Sequence, residues 1–262
     1  MAGWNGDVDQ AVLREFLDQK ADLFNTTAFI DQDPILIPHR FSDPADIEIS
    51  AFLTAILSWG RRQSIISSAG RLVSGMTGGP HAFITGAEDE DFEHFLPFVH
   101  RTFNGVDCIY FLRVLRRIYR DYGGLREIFE TGYAQHGDMV PAIISFRDIF
   151  FREPGPGRTG KHLPDLARNS AGKRINMFLR WMVRRDERGV DFGIWDGIPM
   201  SALYIPLDVH TGTVARKLGM LQRKQDDWKA VEELTSRLRE FDPEDPVRYD
   251  FALFGLGSFE GF

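Results

Sequence analysis

Two residues of this chain could together do chemistry on a glycosidic bond. Lys173 opens the basic run Lys173-Arg174-Ile-Asn-Met-Phe-Leu-Arg180-Trp-Met-Val-Arg184, and Asp208 follows 35 positions later in Pro206-Leu-Asp-Val-His210-Thr-Gly-Thr-Val-Ala-Arg-Lys-Leu-Gly219. Both stand where a helix begins. A carboxylate at a helix start is kept ionised and offers permanent negative charge to an oxocarbenium-like transition state. An unprotonated amine can attack the anomeric carbon. A free lysine with a pKa of about 10.4 is only about 0.04% neutral at pH 7, and a value near 8 would leave about 10% free amine. The helix start, the neighbouring Arg174 and partial burial all act in that direction. Taken alone, Asp208 reads as a helix cap worth about 1 kcal/mol and Lys173 as a surface lysine. A cation is nonetheless an unusual choice at the positive end of a helix.

The segment Arg168-Asn169-Ser170-Ala171-Gly172 is a small polar loop entering the Lys173 helix, and its backbone N–H groups could cradle a phosphate. His210 reads as a structural or phosphate-facing group rather than a base. Arg61, Arg62 and Gln63 lie at a junction between two helical patterns and read either as a basic turn or as a nucleic-acid contact. Trp59, Trp181 and Trp195 are large enough to stack on a base, or to fill the core. His39, His100 and His210 with Asp208 match no compact metal-ligand spacing, so no metal site is expected and no organic cofactor is required.

These residues need helices to hold them, and helical spacing dominates the chain. Residues 9–24 place Val12, Leu13, Phe16, Leu17 and Phe24 at helical intervals. Asp43-Pro44 has the form of a cap and first-turn proline, opening a helix that runs toward Trp59-Gly60. Further helical patterns cover 65–73, 106–120, 139–152, 173–185, 209–218, 227–240 and 245–256, with Gly219 as a C-terminal cap. Pro34 and Pro38 break the pattern, and Pro154-Gly-Pro-Gly-Arg-Thr-Gly160 reads as a flexible loop. On the 173–185 helix, Ile175, Phe178, Leu179 and Met182 form the apolar side. Lys173, Arg180 and Arg184, at offsets of zero, seven and eleven, share the other side with Met177. No set of alternating strands is visible, and the expected class is all-α.

At 262 residues, 43% apolar with 22 Phe, the chain can build a sizeable core. One cysteine, Cys108, precludes a disulfide within the chain and a four-cysteine iron–sulfur cluster. This composition suits the reducing cytoplasm. The opening Met1–Asp7 segment lacks the basic and apolar regions of a signal peptide, and no run approaches the roughly 20 apolar residues of a membrane span. A net charge of −7 argues against coating nucleic acid by bulk charge. Residues 101–120 and 173–188 each carry a local surplus of four positive charges, however, which allows a basic face on an acidic body.

The Pro206–His210 segment running into Val214–Gly219 resembles the proline-x-aspartate-x-histidine segment of the helix-hairpin-helix DNA glycosylase superfamily. The resemblance extends to Asp46–Gln63, similar to that family's early helix and DNA-facing turn, and to Tyr249–Gly257, similar to its closing helix. The Lys173–Arg184 signature followed by Pro-Leu-Asp-Val-His is similar to an uncharacterised bacterial family of the DUF2400 type, and the wide lysine–aspartate gap resembles the archaeal 8-oxoguanine glycosylase branch. Arg168-Asn-Ser-Ala-Gly172 stands where the superfamily has Leu-Pro-Gly-Val-Gly.

The resemblance implies a two-lobed helical architecture with a helix-hairpin-helix element. Residues 43–185 would form a barrel lobe, and residues 1–42 with 205–262 a second lobe. It implies a bifunctional DNA N-glycosylase and AP lyase that excises a damaged base, with oxidised purine one candidate. Lys173 would be the Schiff-base nucleophile and Asp208 the charge stabiliser. Arg61, Arg62, Gln63, Asn169, Ser170, Gly172, Arg174 and His210 would contact damaged double-stranded DNA. The alternative is a helix-hairpin-helix nucleic-acid-binding protein that does no base excision.

Overall fold

The computed structural model describes residues 9–262; the Met1–Asp7 segment considered above for a leader lies outside them. The fold is all-α. In chain order the helices are α1 (Gln10–Phe24), α2 (Thr27–Ile30), α3 (Pro44–Leu57), α4 (Arg62–Ser74), α5 (Pro80–Gly86), α6 (Gly105–Tyr122), α7 (Leu125–His136), α8 (Met139–Phe150), α9 (Lys173–Val183), α10 (Val209–Lys217), α11 (Trp228–Phe241) and α12 (Tyr249–Ser258). Aspartates cap many of them: Asp9, Asp43, Asp138, Asp208 and Asp227 each accept a first-turn backbone N–H. Among the described residues, no helix is long and apolar enough to cross a membrane.

The chain divides into two compact units, one of residues 1–29 with 164–262 and one of residues 30–163. The division falls at Leu163–Pro164, whereas the lobes expected from the sequence changed over after residue 185. Helix α9 therefore belongs to the unit of α10 and α12, and the 190–195 segment folds back on it: the Phe192 N–H donates to the Trp181 carbonyl at 2.9 Å and the Trp195 N–H to the Met182 carbonyl at 2.9 Å.

In the first unit α12 is the central rod, packed by α1 and α10 and buried on nearly every side. Phe29 meets Phe251 edge-on at 5.3 Å, and Phe178 meets Trp195 edge-on at 5.3 Å. In the second unit α3 plays the same part, buried from Ile47 to Leu57. Phe52 sits within 6.3 Å, centroid to centroid, of Phe111, Phe146 and Phe150. The buried Glu48 carboxylate accepts the Leu125 N–H at 2.9 Å and the Tyr119 hydroxyl, supplying the cap that Gly124 cannot give α7.

The 154–160 loop is fastened rather than loose. Asp107, fully buried on α6, accepts Thr159 Oγ1 at 2.7 Å and lies 3.2 Å from His162 Nε2 and 3.3 Å from Arg158. The arginine-rich side of α6 is neutralised. Arg113 and Arg116 pair with Asp89, Arg117 with Glu153 and Arg120 with Asp121. It forms no basic face. Helices α5 and α7 and the small hairpin of β1 (Val99–His100) with β2 (Phe103–Asn104) were not legible as elements. One helix of seven residues and two strands of two are too short to show a period.

Packing around α12 leaves no room at Gly255, where an added Cβ would stand 2.1 Å from the Phe24 ring; nothing lies within 4 Å of one at Gly86. Helix propensity alone favours alanine over glycine by about 1 kcal/mol. Gly255→Ala should nevertheless destabilise the protein by about 1–3 kcal/mol through overpacking, whereas Gly86→Ala should be neutral or slightly stabilising. Urea midpoints of the two variants check the difference in sign.

Candidate active site at the starts of two helices

The chain enters α9 through two left-handed residues, Asn169 (φ 62°) and Gly172 (φ 62°). At Gly172 a side chain would also crowd Leu166, whose Cδ1 lies 3.1 Å from the position of an added Cβ. This turn places Lys173 on the first residue of α9, whose cap, Gly172, has no side chain to satisfy the first N–H groups. Asp208 starts α10 with its two oxygens divided: Oδ1 accepts the Thr211 N–H at 2.9 Å, and Oδ2 lies 3.0 Å from Lys173 Nζ. The Lys173 side chain is 35% exposed and that of Asp208 12% exposed, so the amine is open to a ligand while the carboxylate is set behind it.

Burial works against the charge on Asp208. The positive charge of Lys173, the Thr211 N–H and the charge of His210 outweigh it, so this carboxyl titrates below its ordinary value. Asp250 behaves oppositely. Full burial on α12 pushes its carboxyl up, to about 7, against the opposing Arg180 guanidinium, and the negative charge of Asp208 adds to the rise. Two carboxyls in one electrostatic neighbourhood are thus held apart in protonation, the usual arrangement where one must stay charged and another can carry a proton.

Two further cations of this segment do not face solvent. Arg180 and Arg184 are 4% and 3% exposed, which overturns the shared polar side expected for Lys173, Arg180 and Arg184. Arg180 Nε lies 3.2 Å from Asp191 and its Nη1 pairs with Asp250; Arg184 lies 3.1 Å from Asp191, 2.9 Å from Asp245 and 2.8 Å from Asp186. Both guanidiniums also stack on Phe251, at 4.5 and 5.3 Å. Met177 is buried with them. Sequence reasoning missed Asp191 and Asp250; a single carboxylate in the otherwise apolar run Tyr249-Asp-Phe-Ala-Leu-Phe was the available signal.

The polar loop before α9 is anchored. Asn169 Nδ2 donates to Asp227 at 2.9 Å, Ser170 bridges to Asp227 through the backbone, and the Gly172 N–H points at Ser170 Oγ at 3.4 Å. Arg174 is half-buried, and desolvation lowers its guanidinium to about 10. His210 is exposed, one residue into α10, with its ring edge-on to Phe254 at 6.3 Å. Arg61, Arg62 and Gln63 belong to the other compact unit, at the start of α4. Trp181 and Trp195 are core residues, 0% and 1% exposed, and so cannot stack on a base. Trp59 is half-buried beneath Arg101.

Residues 33–259 match a family described as a protein of unknown function (DUF2400). No curated protein and no solved structure matches the chain.

A carboxyl titrating near 7 when folded and near 4 when unfolded binds more protons in the folded state between those values. Its contribution to stability is therefore complete below about pH 4 and lost as pH rises toward 7. Asp208, lowered on folding, contributes in the opposite sense: its share is present above about pH 4 and lost on acidification. Asp250→Asn should accordingly flatten the decline of stability between pH 4.5 and 7.5, and Asp208→Asn should flatten the loss on acidification. Chemical denaturation across pH distinguishes the two, and a parallel displacement of both curves without a change of slope would contradict these assignments.

Proposed function

The chain belongs to the DUF2400 family, and we propose that it is a DNA-repair N-glycosylase of the helix-hairpin-helix type with associated AP-lyase activity, working in the reducing cytoplasm. The observation that carries this reading is the 3.0 Å approach of Lys173 Nζ to Asp208 Oδ2, joining residues 35 positions apart at two helix starts. A surface lysine and a routine helix cap have no need to meet.

The chemistry follows from the division of the Asp208 carboxylate. Oδ1 is held by the helix it caps, which fixes the side chain, and Oδ2 stays charged to face a developing positive charge at the anomeric carbon, while the proton of the Lys173 ammonium passes to solvent. The freed Lys173 amine attacks that carbon as the bond to the base breaks, and the base leaves with the electron pair of the glycosidic bond and takes up a proton. Loss of a proton from the nitrogen and opening of the sugar ring leave a protonated imine on Lys173, and elimination of the 3′ phosphate from that intermediate is the lyase step. The target base must be taken out of the helical stack to reach the amine, and Asn169, Ser170, Gly172, Arg174 and His210, on the same unit, are the candidate backbone contacts.

One observation favours the non-catalytic alternative, a nucleic-acid-binding protein on this scaffold. The side chain of Asn169 is already engaged by Asp227, and so is less available to a phosphate. The two readings part on covalent chemistry. Borohydride reduction in the presence of duplexes containing 8-oxoguanine, an oxidised pyrimidine, uracil or an abasic site should trap an adduct with at least one of them. Lys173→Gln should abolish the adduct, and Asp208→Asn should slow its formation by about 10²- to 10³-fold. DNA binding without an adduct to any duplex would exclude the lyase chemistry and leave a monofunctional glycosylase or the binding protein, which release of free base tells apart.

A further inference from the structure

Arginine in this molecule is mostly neutralised at short range, as on α6 and α9, but a group on the second unit is not. Arg40, Arg61, Arg71 and Arg101 are all exposed, and among the described residues none has a carboxylate within ion-pair distance. In a chain of net charge −7, four such residues along one helix and its neighbours form a local group of positive charge.

Specific contacts gather them. Helix α4 starts at Arg61, which makes no side-chain cap, so the positive end of the helix adds to the group. Arg71, near the far end of α4, donates to the Val99 carbonyl at 3.4 Å and to Ser68 Oγ at 3.3 Å, tying α4 to the β1–β2 hairpin. Between the two strands Arg101 adopts a left-handed backbone (φ 54°). Its guanidinium lies 4.8 Å from the Trp59 ring and passes close over Gly60, where an added Cβ would be 2.9 Å from Nη1. His100 closes the arrangement, with Nδ1 3.0 Å from Ser68 Oγ and Nε2 3.3 Å from the Trp59 carbonyl. Arg40 flanks α4 at Gly70, its Nη1 3.3 Å from where a Cβ would stand. His100 registers the field: burial lowers its pKa, and the charges of Arg101 and Arg71 act in the same direction against its backbone hydrogen bonds.

The spacing fits a repeating anion. Ten residues of helix separate Arg61 from Arg71, about 15 Å at a rise of 1.5 Å per residue, the length of about four successive phosphates of one strand at 3.4 Å each. Trp59 is half-buried with Arg101 over its ring, so the contacts this group presents are chiefly those of charge. We propose that Arg61, Arg71 and Arg101, with Arg40 beside them, form a docking surface for the sugar–phosphate backbone of DNA, binding it by charge without reading its sequence. The choice of DNA as the polyanion rests on the proposed function; the cluster of unneutralised arginines does not.

The test is the salt dependence of binding to an undamaged duplex of 20 base pairs, followed by fluorescence anisotropy from 0.05 to 0.3 M salt. Each lost phosphate contact should lower the slope of log Kobs against log salt by about 0.9 and weaken binding about eightfold at 0.1 M. Arg71→Gln/Arg101→Gln should therefore lose about 1.8 in slope and about 60-fold in affinity. Arg120→Gln, which removes an exposed arginine paired with Asp121, should match the parent. Arg40→Gln/Arg61→Gln, on different contacts, should repeat the loss if the first pair misfolds. Wild-type slope in both double variants, no binding of the parent chain to duplex, or a greater loss toward poly-glutamate than toward DNA would each overturn the proposal. If the slope falls as expected while borohydride traps nothing, the Schiff-base reading fails and the docking surface stands.

Discussion

The first unit depends on a buried ionic lattice between α9 and the chain packed against it. Arg180 and Arg184, one turn apart, share Asp191 between them and reach Asp250 on α12 and Asp245 just before it. Each guanidinium also lies on the face of Phe251. Buried charges are costly unless every partner is present, and removing one end of such a pair typically costs about 3–5 kcal/mol. The lattice therefore sets where α9 can sit relative to α12, and with it where the Lys173 amine emerges.

That placement explains what sets Asp208 apart from the caps Asp9, Asp43 and Asp138. Asp9, Asp43 and Asp138 also hold helix starts through a side-chain oxygen, but at Asp208 the second oxygen meets an amine carried on another helix. Capping fixes the carboxylate's position and direction, and the ionic lattice fixes the helix that carries the amine. Asp250 joins the two systems, since it pairs with Arg180 and feels the charges of Asp208 and Lys173. The same carboxylate is part of the lattice and part of the site's electrostatics.

Charge distribution separates structural from available arginines more sharply than sequence density does. Within the two stretches of greatest local positive surplus, the arginines of α6 and Arg180 and Arg184 of the α9 segment are paired with acids. Arg40, Arg61, Arg71 and Arg101, which have no carboxylate partner among the described residues, are scattered along the sequence and meet only because α4, the turn before it and the β1–β2 hairpin fold together. Linear charge runs are therefore a poor guide to the electrostatic surface of this protein, because a helix that looks basic on one side can direct that side inward against acids from distant segments.

The all-α class, most helix positions and the Asp43-Pro44 start were legible in the sequence, because periodicity and capping are local properties carried by residues within a few positions of one another. Lys173 and Asp208 were legible as candidates, since each stands at a helix start that its own neighbours announce. Their approach to 3.0 Å, the burial of Arg180 and Arg184, and the presence of Asp250 beside them were decided only by tertiary structure. Whether a charged residue faces water or an opposite charge depends on which distant segment packs over it, and the three-dimensional fold alone supplies Asp191, Asp245 and Asp250 as those partners.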